Sequence, residues 1–320
     1  MNLPVYTELT NFSTRIGGKK VTTEISIALI VSSNSDPVQT INSIYQFLSK
    51  MQKPAEFIFL NLDKEGYKYD KLLATFSSMR ILLPQREISF SEAINICIQE
   101  SLSRNILFLD DRFKILSLDL EILQMYLSEN SFGCLIPLIV NEKNEVIPNI
   151  IKGGIQKSYI NTISTDIIGT AISSLYPKYF CFLLNRDAFL SRNISLNEYN
   201  SNQYVLLELG YKLWKEGYII TQVRNFKVSY SGPTLADIGK DFYNEDFIRF
   251  NYGCLSDRNI LKYRWKDTIQ LFLSLLIRFH LRLISVLLKV IKKSKEVQKE
   301  NLTKPVEDFT IFSIINKDIK

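Results

Sequence analysis

The first 111 residues alternate between short apolar runs and longer amphipathic segments, and this alternation limits the possible folds more than any other feature of the chain. Four runs have the length and the β-branched or aromatic content of buried strands: residues 25–31, 56–63, 80–83 and 106–111. Segments of helical length follow the first three runs, at 37–51, 68–78 and 89–103. The alternation predicts an α/β fold, with a mostly parallel sheet flanked by helices.

The chain is long enough for a full core, since 46% of its 320 residues are hydrophobic. Beyond the first half of the α/β domain, the pattern predicts a helix at 118–127, strands at 134–140 and 179–184, and a helix at 202–216 that Gly217 ends. We divide the chain into a polar leader (1–24), the α/β domain (25–235), a connecting segment (236–266), an amphipathic basic helix (267–295) and a polar tail (296–320).

Charge and cysteine content argue against several classes of protein. The 39 lysine and arginine residues exceed the 33 acidic residues by a modest net charge of +6, which does not predict a nucleic-acid partner. The four cysteines have no metal-ligand spacing, as is typical of buried thiols in a reducing compartment. The sequence opens without the basic and then apolar stretch of a secretory signal, so we expect a cytoplasmic protein.

Polar side chains stand where three of the predicted strands end. They are Ser33 and Asn34 after the first strand, Asn61 and Asp63 at the end of the second, and Asp110, Asp111 and Arg112 at the end of the fourth. Ligands of a parallel sheet bind beyond the carboxyl ends of its strands, which makes these residues candidates for a binding site. The same residue types also serve as ordinary helix caps and turn residues.

The segments at the ends of the first two predicted strands resemble the family 2 glycosyltransferases of the GT-A fold. The whole resemblance covers about residues 25–231. The family opens with a strand similar to V-I-P-T-Y-N; this chain keeps the Asn as Asn34 and has Ser33 in place of the aromatic residue. The family's second strand ends in an Asp pair that helps to hold the nucleobase. Here the corresponding pair is Asn61-Leu62, and Asp63 comes one place after it.

Two later segments extend the resemblance. The family's A-x-N-x-G helix followed by an L-D-D strand is similar to residues 92–98, which contain Asn95, and to 106–111. Residues 182–189 look like the strand and turn beside the family's acceptor site, and residues 207–218 look like its helix that ends in Gly-Tyr.

The resemblance implies that a sugar is transferred, with inversion, from a nucleotide-diphosphate donor to a glycan or lipid-linked acceptor, in polysaccharide or cell-surface glycan synthesis. It places Asp110 beside the ribose and gives Asp111 a divalent metal, Mn²⁺ or Mg²⁺, that neutralises the diphosphate. Arg112 either contacts a phosphate directly or weakens the metal site by charge repulsion. It also implies that the donor is bound by Ser33, Asn34, Asn61, Asp63 and Asn95.

The catalytic base is the weakest part of the pattern. The family carries a Glu-Asp pair eleven or twelve residues before the Gly-Tyr, where this chain has Val205 and Leu206. Glu208 lies near the same helical face and is the candidate for the base, with Glu198 as the other option. Glu208 could equally be an ordinary solvated helix residue. The lost Asp pair and the lost Glu-Asp pair support an alternative function, a catalytically degenerate GT-A protein that binds or scaffolds a partner at the membrane surface.

The helix predicted at 267–295 combines a broad apolar face with a basic stripe. Arg278 and Arg282 would each cost about 2.5 to 3.5 kcal/mol in the middle of a membrane span, which disfavours a spanning helix. Two alternatives remain: the helix lies on the inner surface of an anionic membrane, making the protein peripheral, or it packs on the α/β domain or on a second copy.

Overall fold

A computed structural model of the chain describes residues 6–10, 25–31, 37–49, 56–62, 69–75, 79–128, 131–156, 159–166, 169, 171–238, 245–251, 285, 288 and 308–316. The strands are β1 (Tyr6–Thr10), β2 (Ile25–Val31), β3 (Glu56–Asn61), β4 (Met79–Pro84), β5 (Asn105–Asp110), β6 (Phe113–Leu118), β7 (Phe132–Val140), β8 (Ile150–Gln156), β9 (Tyr159–Thr165), β10 (Ala171–Ser173), β11 (Cys181–Asn185) and β12 (Ile219–Tyr230). The helices are α1 (Val38–Leu48), α2 (Tyr69–Thr75), α3 (Phe90–Glu100), α4 (Leu120–Ser128), α5 (Arg186–Ser191), α6 (Asn202–Lys215), α7 (Glu245–Arg249) and α8 (Asp308–Ile315).

One large mixed sheet forms the centre of the fold, with the strand order β1-β4-β3-β2-β5-β11-β7-β12-β10. Strands β4, β3, β2 and β5 are parallel to one another, whereas β11 runs antiparallel to both β5 and β7. Strand β12 is parallel to β7 and also pairs with β6 and β10 in the antiparallel direction. The predicted α/β sheet flanked by helices is confirmed.

Hydrophobic packing covers both faces of this sheet. Alternate residues of β2 and β5, such as Ile30 and Phe108, pack with α3 and α6, while Leu29 and Leu109 pack in the cluster that contains α1. Because both faces are covered, these strands are buried along their whole length and mostly apolar, which is why they appear in the sequence as nearly continuous runs.

Local signals set several of the helix ends. Ser89 caps α3 in a capping box, in which its hydroxyl accepts from the backbone of Glu92 and the Glu92 side chain accepts from the Ser89 backbone. At the end of α6, Gly217 has φ of +84°, in the left-handed region that favours glycine, as predicted.

The two ends of the described chain differ from the sequence-based interpretation. The predicted polar leader contains β1, which pairs antiparallel with β4. The predicted polar tail contains α8, whose Ile311, Phe312 and Ile315 are buried in the core cluster of α3 and α6. Strand β1 depends on a partner far away in the chain and has no strong local pattern, whereas α8 is a mostly apolar run that the division into a polar tail did not take into account.

The predicted helix at 267–295 lies outside the described residues except for Ser285 and Leu288, which are helical and exposed. Within the part of the chain that the structure describes, no helix is long and apolar enough to span a membrane.

Candidate functional site

The carboxyl ends of the parallel strands meet at one edge of the sheet. The register pairs Val31 of β2 with Asn61 of β3, and Ile30 of β2 with Asp110 of β5. Asn61 and Asp110 therefore end the two strands that flank β2, at the same edge of the sheet. Ser33, Asn34 and Asp63, which were predicted at this edge, lie outside the described residues.

Residues 110–112 form a turn after β5 that we call the Asp110 loop. The Asp110 carboxylate is 6% exposed and accepts hydrogen bonds on both oxygens from Arg112. The backbone N–H of Arg112 donates to Oδ1 at 2.9 Å, and the guanidinium donates to Oδ2 through Nε at 3.1 Å and also through Nη2. The guanidinium therefore binds directly to the carboxylate that the family resemblance places beside the ribose.

Burial and charge oppose each other within this ion pair. Burial raises the pKa of Asp110 above its ordinary value, and the hydrogen bonds and charge of Arg112 only partly counteract the rise. Partial burial also acts against the charge of Arg112, but the hydrogen bond and charge of Asp110 prevail and raise the pKa of the guanidinium. Arg112 is thus the group that favours the ionised form of Asp110.

Two distant elements fix the backbone of the Asp110 loop. The hydroxyl of Thr40, on α1, donates to the carbonyl oxygen of Asp111 at 2.8 Å. From the end of β12, the backbone N–H and the hydroxyl of Ser231 reach the carbonyl oxygen of Arg112 at 3.1 and 3.2 Å. The loop is therefore held from both sides.

Tyr230 supports the guanidinium from the side. Arg112 Cζ lies 5.4 Å from the centre of the Tyr230 ring. The centre of that ring lies 4.8 Å from the ring centre of Phe113 and 5.0 Å from that of Tyr179. Burial raises the pKa of Tyr230 to about 12, so its hydroxyl stays neutral and donates to the carbonyl oxygen of Pro233 at 3.2 Å. The sequence analysis missed Thr40, Tyr230 and Ser231, because no local motif links them to residues 110–112.

Two other predicted residues contact different parts of the structure. Asn61 is buried, and its amide donates to the hydroxyl of Tyr69 on α2 at 2.7 Å. Asn95 is buried in the middle of α3 among the core residues Ile94 and Ile96.

A comparison with solved structures finds this architecture in glycosyltransferases. A crystal structure of GalNAc-T7 with UDP, GalNAc and Mn²⁺ matches with a TM-score of 0.54 at 14% identity, over 72% of this chain and 47% of that one. Its fold is GT-A. A crystal structure of S. aureus TarS 1-349 in complex with UDP-GlcNAc matches with a TM-score of 0.49 at 13% identity, over 72% of this chain and 66% of that one.

The match to GalNAc-T7 therefore spans about half the length of that protein. No protein-family model and no curated protein sequence matches this chain.

The residues around the Asp110 loop do not fit the divalent metal that the GT-A resemblance implies. Both oxygens of Asp110 already bind Arg112, and a metal ion on the same carboxylate would meet the positive charge of the guanidinium. Across the described ranges, no three histidine, cysteine or acidic side chains are grouped to hold an ion. Asp111 alone is far from the roughly six oxygen ligands that Mg²⁺ prefers.

Glu208, the predicted catalytic base, is buried inside the GT-A domain. Its side chain is 0% exposed and lies 2.7 Å from the ammonium of Lys212. It also accepts from the backbone N–H of Asn197 at 2.7 Å and from the Asn197 amide. A carboxylate held in this way fixes the residues before α6, and it would have to leave these partners to reach an acceptor hydroxyl; the assignment of Glu208 as the base stays a prediction.

Proposed function

We propose that this protein transfers a sugar from a nucleotide-diphosphate donor to a glycan or lipid-linked acceptor, with inversion, in polysaccharide or cell-surface glycan synthesis. The observation that carries the proposal is the Asp110 loop, in which a buried carboxylate and a half-exposed guanidinium lie together at the carboxyl edge of a GT-A sheet. Carboxylates accept hydrogen bonds from ribose hydroxyls, and guanidinium groups bind phosphate oxygens. No step is assigned to a metal.

Under this proposal each residue at the edge has a distinct part. Asp110 accepts from the ribose, and Arg112 donates to the diphosphate. Ser33, Asn34, Asn61, Asp63 and Asn95 keep the nucleotide-binding parts that the resemblance implies. GalNAc-T7 was crystallised with UDP, which makes uridine donors the first to test.

The test is a donor-turnover assay on the full chain with a panel of nucleotide sugars, in which release of the nucleoside diphosphate is measured with and without candidate acceptors. Asp110→Asn should lower the rate about tenfold or more, because it removes a charge-assisted hydrogen bond at the donor. The matched control is Asp187→Asn, an acid on α5 whose side chain is 58% exposed. Equal rates for Asp110→Asn and the unaltered protein would refute the proposed site.

A second function is favoured by one observation. Since the Glu208 carboxylate is buried and paired, the chain also fits a GT-A protein that binds a nucleotide or glycan without turning it over. Thermal-shift titrations with nucleoside diphosphates separate the two functions. A protein that is stabilised by a nucleotide, yet releases none from any donor in the panel, would belong to the second class.

We also propose that the protein is cytoplasmic and sits on the inner membrane surface through the basic face of the 267–295 helix. The double substitution Arg278→Glu and Arg282→Glu should reduce the sedimentation of the protein with anionic vesicles and leave its sedimentation with neutral vesicles unchanged. Equal sedimentation of the two proteins would favour packing of this helix on protein.

A further inference from the structure

Arg112 supplies a positive charge at the Asp110 loop without a bound metal ion. Arg112 occupies both oxygens of the Asp110 carboxylate, and its side chain is still 42% exposed. A guanidinium has five N–H donors in a planar fork, of which Nε and Nη2 are directed at Asp110. Nη1 makes no hydrogen bond to any part of the chain that the structure describes, so the outward side of the fork is open to a ligand.

Three contacts hold this guanidinium in one place. Two of them act on the guanidinium itself: Asp110 binds one edge of the fork, and the guanidinium carbon lies over the Tyr230 ring, 5.4 Å from its centre. The third fixes the backbone that carries it, since the Ser231 N–H donates to the Arg112 carbonyl oxygen at 3.1 Å. Arginine fixed by a carboxylate and an aromatic face loses little side-chain freedom when it binds an anion. The fork is therefore arranged before a ligand arrives.

From this arrangement we infer that the site binds a nucleoside diphosphate without a divalent cation, with the Arg112 fork donating to the phosphate oxygens while Asp110 and Tyr230 hold it in position. The inference rests on the proposed function, since it concerns the donor of the same site. The resemblance gives the metal to Asp111, whose negative charge already acts on the neighbouring Arg112 guanidinium, so a metal ion at Asp111 would be repelled by that guanidinium. No bond is formed or broken in this binding step.

The experiment is calorimetric titration of the full chain with uridine, cytidine, adenosine and guanosine diphosphates, each in excess EDTA and in excess Mn²⁺. For the nucleotide that binds, we expect the two dissociation constants to agree within about threefold, well below the tenfold change that corresponds to 1.4 kcal/mol. This comparison needs no variant, so it holds even if a substitution disturbs folding.

Substitutions then test the part of Arg112. Arg112→Gln should weaken binding of the nucleoside diphosphate about tenfold, because a charge-assisted hydrogen bond is lost. It should not change binding of the matching nucleoside, which has no phosphate. The matched control is Arg104→Gln, an arginine at the opposite end of β5 that is 47% exposed and lies 3.5 Å from Asp187.

The outcomes separate the two proposals. Tight binding that appears with Mn²⁺ and disappears in EDTA would overturn the metal-free inference and leave the proposed function standing. Binding in EDTA that Arg112→Gln does not weaken would overturn the assigned part of Arg112. No binding of any nucleoside diphosphate in either condition would overturn the inference and the proposed function together.

Discussion

Arg80 holds three carboxylates at the amino ends of the strands, on the side of the sheet opposite to the Asp110 loop. Its guanidinium contacts Glu8 at 2.9 Å and both Glu56 and Glu100 at 2.6 Å. Glu56 is the critical partner, because its side chain is 6% exposed and depends on Arg80 for its countercharge. This cluster joins β1, β3, β4 and the end of α3.

We predict that Arg80→Met destabilises the protein by about 3 to 5 kcal/mol, since it leaves the Glu56 carboxylate buried without a cation. Urea unfolding followed by circular dichroism measures the loss. Arg86→Met is the matched control, because Arg86 is exposed and pairs with Glu92 at the surface. If both variants unfold at the same urea concentration, Arg80 does not hold the buried charge.

Lys178 and Asp237 form a second ion pair, in which Lys178 is 3% exposed. Partial burial acts to raise the pKa of Asp237, but hydrogen bonds from Lys178 and Ser164 prevail and hold it below the ordinary value of 3.8. A lowered pKa in the folded state means that the pair stabilises the protein above pH 3.8. This contribution is lost as the pH falls through the lower, folded value.

We therefore predict that Asp237→Asn destabilises the protein by about 2 kcal/mol at neutral pH, the moderate figure reflecting a side chain that is one-third exposed. The difference from the unaltered protein should stay constant from pH 7 to about pH 4 and narrow below it. Unfolding titrations at several pH values measure this difference, and a gap that widens in acid would contradict the assignment.

At the scale of elements, α6 approaches the sheet closely because it carries a glycine. A Cβ atom on Gly210 would lie 2.4 Å from the carbonyl oxygen of Leu175 and 2.5 Å from Cβ of Tyr176. The indole N–H of Trp214 donates to the carbonyl oxygen of Ser174 at 3.0 Å along the same line of contact. The glycine thus allows the helix to pack on the backbone of residues 174–176.

We predict that Gly210→Ala costs about 1 to 3 kcal/mol, because overlap with backbone atoms outweighs the gain in helix propensity. Gly154→Ala is the control, since a Cβ there meets no atom within 4 Å. Thermal unfolding of both variants makes the comparison. A Gly210→Ala protein more stable than its parent would show that α6 can move away from residues 174–176.

How well an element could be predicted follows from where its stabilising contacts lie. Strands β2, β3 and β5 are buried on both faces, so their apolar runs were visible in the sequence. Strand β6 was missed, because several of its side chains are exposed and it is held by pairing with β12, more than 100 residues away.

The candidate site shows the same difference between residues with a local sequence signal and residues that distant parts of the chain contribute. Asp110 and Arg112 are close in the chain, and the sequence identified both. Their supports, Thr40 and Tyr230, come from other elements and carry no local signal. For Glu208, helical spacing predicts which face the residue is on, but not that Asn197 and Lys212 bind its carboxylate.

On the scale of the whole molecule, α8 brings the end of the chain onto its middle. Ile311 and Ile315 are fully buried, and the amide of Asn316 donates to the carbonyl oxygen of Gly153 at 2.7 Å. The ammonium of Lys152, which is 2% exposed, donates to the carbonyl oxygens of Ser173 and Ile315. The last turn of α8 thus supplies one of the two acceptors of a buried cation.

We predict that Ile311→Ala weakens the docking of α8 by about 2 to 5 kcal/mol, the usual cost of truncating a buried isoleucine. Native-state hydrogen exchange of residues 308–316 measures the opening free energy. Ile314→Ala, on the same helix but 44% exposed, is the matched control and should leave exchange nearly unchanged. Equal protection in the two variants would mean that α8 does not depend on its buried face.

The pairing of β12 also determines where the sequence can change in length. Between Val223 and Lys227 this strand carries three residues, 224–226, that face no partner on β7, whose own residues Pro137 and Leu138 are consecutive. A residue inserted before Val223 would turn the following side chains to the wrong face of the sheet. Residues 224–226 already absorb such a mismatch, so we expect natural insertions and deletions in related sequences to collect there and to spare 219–223.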